Sequence, residues 1–214
     1  MKKKIALLAL MAIFAAIAAS STIAYFTSET TAHNVITSGG IGIEIRETMK
    51  NPEQGEGEPE YVDFVNQVGI MPGTAVSKIV KVENQEEESW IRVLVNTAIS
   101  EPGAPITNPT IKCLPLEFEF DGEMQSVLEI DFNEEDWTLG EDGYWYHKMP
   151  VAAPTVENGE KVFASTAPLF TEVKFNKNTG NEYQGCVVTI DVIAEAVQTA
   201  NNGSTVFEAA GWPN

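Results

Sequence analysis

Apolar and polar side chains alternate along much of this chain, and that alternation is the feature that most limits how it can fold. A period of two residues builds a strand with one buried face, whereas helical periodicity is almost absent after residue 24. The alternating runs are rich in Val, Ile, Thr and aromatic residues, and clusters of Gly, Pro and Asn separate them. The runs are Ile41–Ile45, Val76–Val82, Trp90–Val95, Glu117–Phe120, Gly143–His147, Thr171–Phe175 and Val187–Val197.

This pattern predicts an all-β fold, a jelly-roll-like antiparallel β-sandwich with short helical insertions. Val187–Val197 is the longest and most apolar run, so we expect it to be the central strand. The best candidate for a helical insertion is FNEEDW at residues 132–137. Asn133 would be its N-cap, and the three acids that follow would lie in the first turn, where they complement the helix dipole.

The first 24 residues have the organisation of a secretory signal peptide. Three lysines at positions 2–4 precede the apolar run Ile5–Ala19. A small-x-small pattern at 22–24 places the cleavage between Ala24 and Tyr25. An uncleaved membrane anchor is the alternative, but Ser20–Thr22 interrupts the run before it reaches the roughly 20 residues that a membrane helix needs. We predict a secreted, extracellular or cell-surface protein with a helical signal peptide at 1–24, an N-terminal lead segment at 25–40 and a single domain at 41–214.

The chain is strongly acidic, with 31 Asp and Glu against 13 Lys and Arg and a formal charge of −18. Loss of the three lysines with the signal peptide would change this charge to −21. Nucleic acid and anionic lipid are therefore disfavoured as partners, because both need a basic surface. Candidate calcium ligands are Asp131, Asn133 and Asp136, but their spacing is not that of an EF-hand, and a solvated acidic loop explains them as well. The sequence predicts no cofactor, with weakly bound Ca²⁺ as the alternative.

Cys113 and Cys186 are the only cysteines, and an oxidising exterior would permit a disulfide between them. The alternation argues against that bridge, because Cys186 shares a face with Val188, whereas Cys113 falls on the opposite face of its own run. Pro115 can disturb the register of that run. A disulfide and two buried or half-buried thiols therefore both remain open.

Residues suited to catalysis are few. Only two histidines occur, His33 and His147, and neither has a partner at the spacing of a zinc motif. The sequence contains no G-x-S-x-G and no phosphate-binding glycine loop. Acidic pairs such as Glu117 and Glu119 follow from alternation on an exposed strand face. We expect that the protein is not an enzyme, with a secreted metallopeptidase-like hydrolase as the less favoured alternative.

Four stretches carry a resemblance to a known family: AYFTSETTAHNVITSGGIGIEI from residue 24, MPGTAVSKIVKVENQEEESWIRVLVN from 71, GYWYHKMPVAAPTVENGEKVFASTAPLFTEVKF from 143 and VVTIDVIAEAVQTAN from 187. Together they are similar to the TasA/camelysin family of secreted Gram-positive proteins, whose signal peptides are cut by a dedicated signal peptidase. The third stretch departs from the family pattern, since a longer insertion replaces the usual Pro-Gly-Glu after the aromatic strand. The resemblance implies a jelly-roll-like sandwich, and the best-known members polymerise into extracellular biofilm-matrix fibres. Some relatives are classed as metallopeptidases, but no zinc motif in this sequence supports that activity.

In the fibre-forming relatives, the segment freed by signal cleavage is a donor strand that pairs with the next subunit. The resemblance therefore implies that the lead segment docks on a neighbouring copy by β-augmentation, in which main-chain hydrogen bonds supply affinity and alternate side chains fill pockets. The implied hinge is Ser38-Gly39-Gly40, because glycine permits the swing between strand and body. The implied assembly residues are Tyr25, Phe26, Ser28, Thr30, Ala32, Val35 and Ile36.

The partners implied by the resemblance are further copies of the chain, joined head to tail, and the signal peptidase. An accessory fibre protein or an anchoring protein is a further partner that the resemblance leaves open. We also expect that the lead segment cannot enter a groove while Tyr25 is joined to the signal peptide, which would keep the precursor monomeric. The rival function is a monomeric secreted or cell-surface binding module whose lead segment folds back onto its own sheet.

Overall fold

The computed structural model describes residues 41–54, 57–65, 71–100, 114–183 and 186–213, together with the backbone pairing of residues 25–26 and 33–34. The strands are β1 (Tyr25–Phe26), β2 (His33–Asn34), β3 (Ile43–Lys50), β4 (Tyr61–Asp63), β5 (Ala75–Asn84), β6 (Ser89–Ser100), β7 (Glu117–Phe120), β8 (Glu123–Ser126), β9 (Leu128–Ile130), β10 (Trp137–Leu139), β11 (Trp145–His147), β12 (Thr155–Glu157), β13 (Glu160–Val162), β14 (Phe170–Phe175) and β15 (Val187–Gln198). A 3₁₀ helix at Asn181–Tyr183 is the one helix in this part of the chain. No helix among these residues is long and apolar enough to cross a membrane.

Two sheets make up the body of the fold. Sheet A has the order β1-β15-β6-β11-β10, with β2 also paired to β15. Sheet B has the order β4-β3-β5-β14-β9, and two hairpins, β7-β8 and β12-β13, stand apart from both sheets. Within each sheet the pairing is antiparallel, except that β1 and β2 run parallel to β15. The predicted all-β class and antiparallel sandwich are confirmed.

The core lies between the two sheets, and the alternation seen in the sequence decides which side chains enter it. On β15, the even-numbered residues Val188, Ile190, Val192, Ala194 and Ala196 belong to one buried cluster. The same cluster contains apolar residues of β6 in sheet A and of β3, β5 and β14 in sheet B. A period of two in each strand thus gives both sheets one buried face, and the two faces close on each other.

The predicted helix at residues 132–137 is not formed, and a single turn takes its place. Asn133 caps this turn as expected, since its Oδ1 accepts from the backbone N–H groups of Glu135 and Asp136 at 3.2 and 3.3 Å. The Trp137 N–H donates to Asn133 O at 3.1 Å, which closes one turn. Trp137 is also the first residue of β10 and pairs with His147. Strand pairing therefore begins before a second turn can form.

Several predictions concern residues outside the part of the chain that the structure describes. They are the signal peptide with its cut after Ala24, the hinge Ser38-Gly39-Gly40, the assembly residues Ser28, Thr30, Ala32, Val35 and Ile36, and the pairing of Cys113. Cys186 is buried, with its Sγ 3.5 Å from Glu182 O. These predictions stay predictions.

Candidate assembly site at the edge of strand β15

Strand β15 has two very different edges. On one side all twelve of its residues pair with β6, from Val187 opposite Ser100 to Gln198 opposite Ser89. On the other side only two short parallel pairings occur among the described residues, Tyr25–Phe26 with Val187–Val188 and His33–Asn34 with Ile193–Ala194. The strand predicted to be central is thus flanked on its outer edge by β1 and β2 of the lead segment alone, among the described residues.

The outer edge of β15 lies next to the core. Its inward-facing residues Val188, Ile190 and Val192 are each about 1% exposed. On the edge of β3 away from β5, β4 pairs only with Thr48–Lys50, and no described strand pairs with the first half of that edge. Both β2 and β15 come close to β3. The short strand β2 of the lead segment therefore lies near both β15 and β3.

The structure places two of the predicted assembly positions, Tyr25 and Phe26, on this edge. Tyr25 and Phe26 pair directly, and His33–Asn34 pairs just before Val35 and Ile36. The expectation that the lead segment cannot enter the groove of another copy while Tyr25 is joined to the signal peptide stays a prediction.

A buried ion pair joins β3 and β5 in sheet B. Lys78 Nζ is 2.7 Å from Glu47 Oε1, and both side chains are almost fully enclosed. The Phe64 ring lies 4.1 Å from the same ammonium group. Burial lowers the pKa of Lys78, and the neighbouring Glu47 carboxylate acts in the opposite direction. Burying such a pair costs desolvation free energy, which the attraction between the two charges offsets in part.

On the outer face of sheet A, Arg92 organises a second cluster. Its Nε and Nη2 both lie 2.7 Å from Glu195 Oε2, and its Nη1 donates to Tyr146 Oη at 3.1 Å. The guanidinium carbon lies 4.0 Å from the Tyr144 ring centre and 4.7 Å from that of Trp212. Burial disfavours the charged guanidinium, but the hydrogen bonds to Tyr146 and Glu195 outweigh it, so the pKa of Arg92 is raised.

This cluster fastens the C-terminal segment to the sheet. Arg92 Nη2 donates to Pro213 O at 3.4 Å, and Trp90 Nε1 donates to Asn202 O at 3.3 Å. Asp142 completes it from the β10–β11 turn, where Gly143 has the left-handed φ of 85° that favours glycine. The sequence analysis missed Arg92 and Glu195. The available signal was the rarity of charge in two otherwise apolar runs, with Arg92 alone in the first and Asp191 and Glu195 in the second.

The candidate calcium ligands are engaged in protein hydrogen bonds. Asp131 Oδ1 accepts from the backbone N–H groups of Thr171 and Glu172, and its Oδ2 accepts from Thr171 Oγ1. Asn133 Nδ2 donates to Asp136 Oδ2 at 2.9 Å. Among the residues described here, no group of three or more His, Cys, Asp or Glu side chains is placed to hold a metal ion. Weak Ca²⁺ binding stays an untested prediction.

His147 is a buried residue whose ring hydrogen-bonds to the backbone. Its Nδ1–H donates to Met149 O at 2.6 Å, and its Nε2 accepts from the Ala167 N–H at 3.4 Å. Burial lowers the pKa of this imidazole, against smaller effects of Met149 O and Asp136. Both ring nitrogens of neutral His147 hydrogen-bond to backbone groups, so the side chain links β11 to the segment before β14.

A groove of about 500 Å³ lies on the outer face of sheet B, away from β15. Its lining mixes both signs of charge, with Arg46 and Lys81 opposite each other on β3 and β5 and with Asp63 and Glu83 beside them. Tyr61, which is 52% exposed, stands at its rim. A binding module would use a surface of this kind.

No protein-family model, curated protein or solved structure significantly matches the chain.

Proposed function

We propose that the mature chain is a secreted structural protein that polymerises into extracellular fibres. Each subunit places its lead segment on the outer edge of strand β15 of the next subunit. The observation that carries this proposal is the outer edge of β15, which meets only the lead segment among the described residues. The proposal contains no catalytic step.

The physical basis is a sheet edge that needs a strand. An unpaired edge presents a row of backbone donors and acceptors to any extended segment, and the outer edge of β15, beside the buried core, is paired only with the short strands β1 and β2 among the described residues. The lead segment can pair in parallel with β15 of its own chain or with β15 of another copy. Exchange of an identical element between copies conserves its contacts and is a low-cost route to assembly. Because donor and acceptor surfaces differ, the contact is heterologous and generates an open filament.

Secretion and the biofilm-matrix setting are supported by the sequence. The signal-peptide organisation of residues 1–24 and the resemblance to the TasA/camelysin family both favour an extracellular fibre protein. The formal charge of −18, or −21 after cleavage, keeps subunits apart until a specific strand contact joins them.

The rival function is a monomeric binding module, and pairing of the lead segment within one chain is what that rival requires. The two functions differ in whether the lead segment leaves its own β15 for that of another copy. A measurement of exchange between copies therefore decides between them.

The experiment uses the chain from Tyr25 onward, a truncation that begins at residue 37, and a synthetic peptide of residues 25–36. Electron microscopy and sedimentation of the first protein are expected to give filaments, and the truncation is expected to give none. The peptide is expected to bind the truncated domain and to raise its melting temperature, while a peptide of the same composition in scrambled order does not.

If the truncated domain folds poorly by itself, binding of the peptide is expected to restore its folding. The peptide measurement therefore tests the proposal in that case as well. Two results would overturn the proposal. One is filament formation by the truncated domain without peptide, and the other is a full-length mature protein that remains monomeric at every concentration tested.

A further inference from the structure

Lys78 and Glu47 form a charged pair on the inner face of sheet B, where lysine and glutamate are rarely found. Glu47 is opposite Val80 on β5, and Lys78 is two residues from Val80, so the three side chains share one face. Val80 belongs to the main core cluster. The side chains of Lys78 and Glu47 are only 2% and 8% exposed. An amine and a carboxyl group therefore meet inside the sandwich, on two neighbouring strands.

The two groups are held at a distance suited to reaction. Lys78 Nζ is 2.7 Å from Glu47 Oε1, and the carboxyl carbon is one bond beyond that oxygen. Phe64 holds this arrangement from the side of β3 away from β5, because its N–H donates to Glu47 O at 3.0 Å and its ring centre lies 4.1 Å from Nζ. Fixed proximity of this kind is equivalent to an effective concentration of about 10⁵–10⁸ M when the groups are well oriented.

Burial favours the uncharged amine, which is the nucleophilic form of lysine. Desolvation lowers the pKa of Lys78, and the Glu47 carboxylate acts in the opposite direction. Transfer of one proton from Lys78 to Glu47 turns the ion pair into a neutral amine and a neutral carboxylic acid. This transfer needs no further reactant and leaves the net charge of the pair unchanged.

We propose that Lys78 and Glu47 condense to an isopeptide bond that joins β5 covalently to β3. After the proton transfer, rotation of the carboxyl group about its Cγ–Cδ bond turns its face toward Lys78 Nζ. The nitrogen lone pair forms a bond to Glu47 Cδ, and the bond between Cδ and the hydroxyl oxygen breaks. The leaving hydroxyl takes one N–H proton and departs as water. One amide and one water molecule result, and nothing is oxidised or reduced.

The amide fits the enclosed position better than the ion pair does. Its formation removes two buried charges, whose burial costs desolvation free energy. The same enclosure keeps out the water that hydrolysis of the amide would need. The bond would tie together two neighbouring strands of sheet B, and reducing agents would not break it. This inference does not rest on the fibre function, because the bond lies within one subunit.

A second lysine–glutamate pair in the same sheet separates proximity from burial. Lys174 on β14 is directly opposite Glu129 on β9, and Lys174 Nζ is 2.9 Å from Glu129 Oε2. The two side chains are 40% and 46% exposed, so water solvates both charges. We expect no bond at this pair, which makes it an internal control.

Trypsin digestion of the full chain, followed by mass spectrometry, tests the bond. Trypsin cuts after lysine and arginine, but not after a lysine whose amine is acylated. The expected main product is a branched peptide in which residues 47–50 are joined to residues 51–81, lighter than the two separate peptides by one water molecule. Fragmentation is expected to place the link between Glu47 and Lys78. Cleavage after Lys174 is expected to be complete, and the peptide containing Glu129 is expected at its unmodified mass.

Two matched lysine variants show whether the amine of Lys78 is required. Lys78→Arg keeps a cation beside Glu47 but removes the amine, so residues 47–50 are expected as a free peptide. Lys81→Arg lies on the same strand but at the outer groove, and the branched peptide is expected in unchanged yield. The digest of the wild-type chain decides the question even if Lys78→Arg folds poorly.

Three results would overturn the inference. The first is complete cleavage after Lys78 in the wild-type chain with residues 47–50 released, which would leave an ion pair only. The second is the same loss of water in Lys78→Arg. The third is an equal yield of a link between Lys174 and Glu129, which would show that burial is not the cause. Each result is obtained without filaments, so none of them bears on the fibre function.

Discussion

Arg92 and Glu195 face each other across the β6–β15 pair, and Arg92 Nη2 lies 2.7 Å from Glu195 Oε2. Both side chains are about nine-tenths buried. The same guanidinium group reaches Tyr146 on β11 and Pro213 in the C-terminal segment. One ion pair therefore joins the strand with the open edge to the rest of sheet A and to the segment that covers it.

Substitution of Glu195 by Gln is expected to lower the free energy of unfolding by about 3 kcal/mol, because it leaves a buried guanidinium without its main counter-charge. Denaturant unfolding of the two proteins measures the loss. The matched control is Glu83→Gln, which breaks the more exposed pair with Arg46 at 2.9 Å and should cost less than about 1 kcal/mol. Equal losses in the two variants would contradict the role given to Arg92.

His147 predicts a specific pH dependence of stability. Burial holds the folded-state pKa of this imidazole below its ordinary value of 6.5. As the pH falls below 6.5, the unfolded chain therefore takes up a proton before the folded chain does. The stability that the neutral ring contributes is fully present above pH 6.5 and is lost as the pH falls toward the folded-state pKa.

The measurement is the slope of unfolding free energy against pH between pH 7.5 and 5.5. His147→Gln is expected to flatten that slope, by at most about 1.4 kcal/mol per pH unit for one proton. His33→Gln is the control, since His33 is the one other histidine in the sequence and lies in the lead segment. A slope that changes with His33→Gln and not with His147→Gln would refute the assignment.

The turn at residues 132–137 depends on one side chain. Asn133 Oδ1 accepts from two backbone N–H groups, and Nδ2 donates to Pro168 O at 3.0 Å. Asn133→Ala should therefore cost about 1–2 kcal/mol of unfolding free energy, the usual range for a lost cap. Asn133→Asp retains the acceptor and should cost less. If Asp proved as damaging as Ala, the Nδ2 bonds and not the cap would be the main contribution.

The strands were predictable because the period of two is local to each run. The runs at 90–95 and 187–197 could be assigned without knowing what lies beside them, since each needs only one buried face. Neighbours in a sheet are decided by contacts between distant residues, such as Val192 with Val95. For that reason the sequence did not reveal that β15 has an outer edge. The predicted helix at 132–137 does not form, for a related reason. Trp137 pairs with His147 as the first residue of β10, and this strand pairing outweighs the favourable N-cap at Asn133.

The charged residues of the candidate site were harder to predict than its apolar ones. Glu195 in an apolar strand could have been an exposed position on an outer face, and only its register with Arg92 shows the pair. Likewise, Thr189 and Asp191 look like ordinary outward residues of an alternating strand. In the part of the chain that the structure describes, Thr189 Oγ1 and Asp191 Oδ1 are buried and have no hydrogen-bond partner, which a strand pattern cannot predict.

Side-by-side association of the proposed fibres should depend on screening. At −21 per mature subunit, lateral contact between fibres brings like charges together, and the repulsion extends over a Debye length of about 30 Å at 0.01 M salt but only about 3 Å at 1 M. We expect single filaments at low ionic strength and bundles at high ionic strength or at a pH low enough to protonate carboxylates. Turbidity and electron microscopy across a salt series measure this. MgCl₂ and NaCl at equal ionic strength form the control pair, because more bundling with Mg²⁺ than screening accounts for would indicate bridging of carboxylates by the cation. Bundles of the same width at every ionic strength would show that lateral packing is not limited by charge.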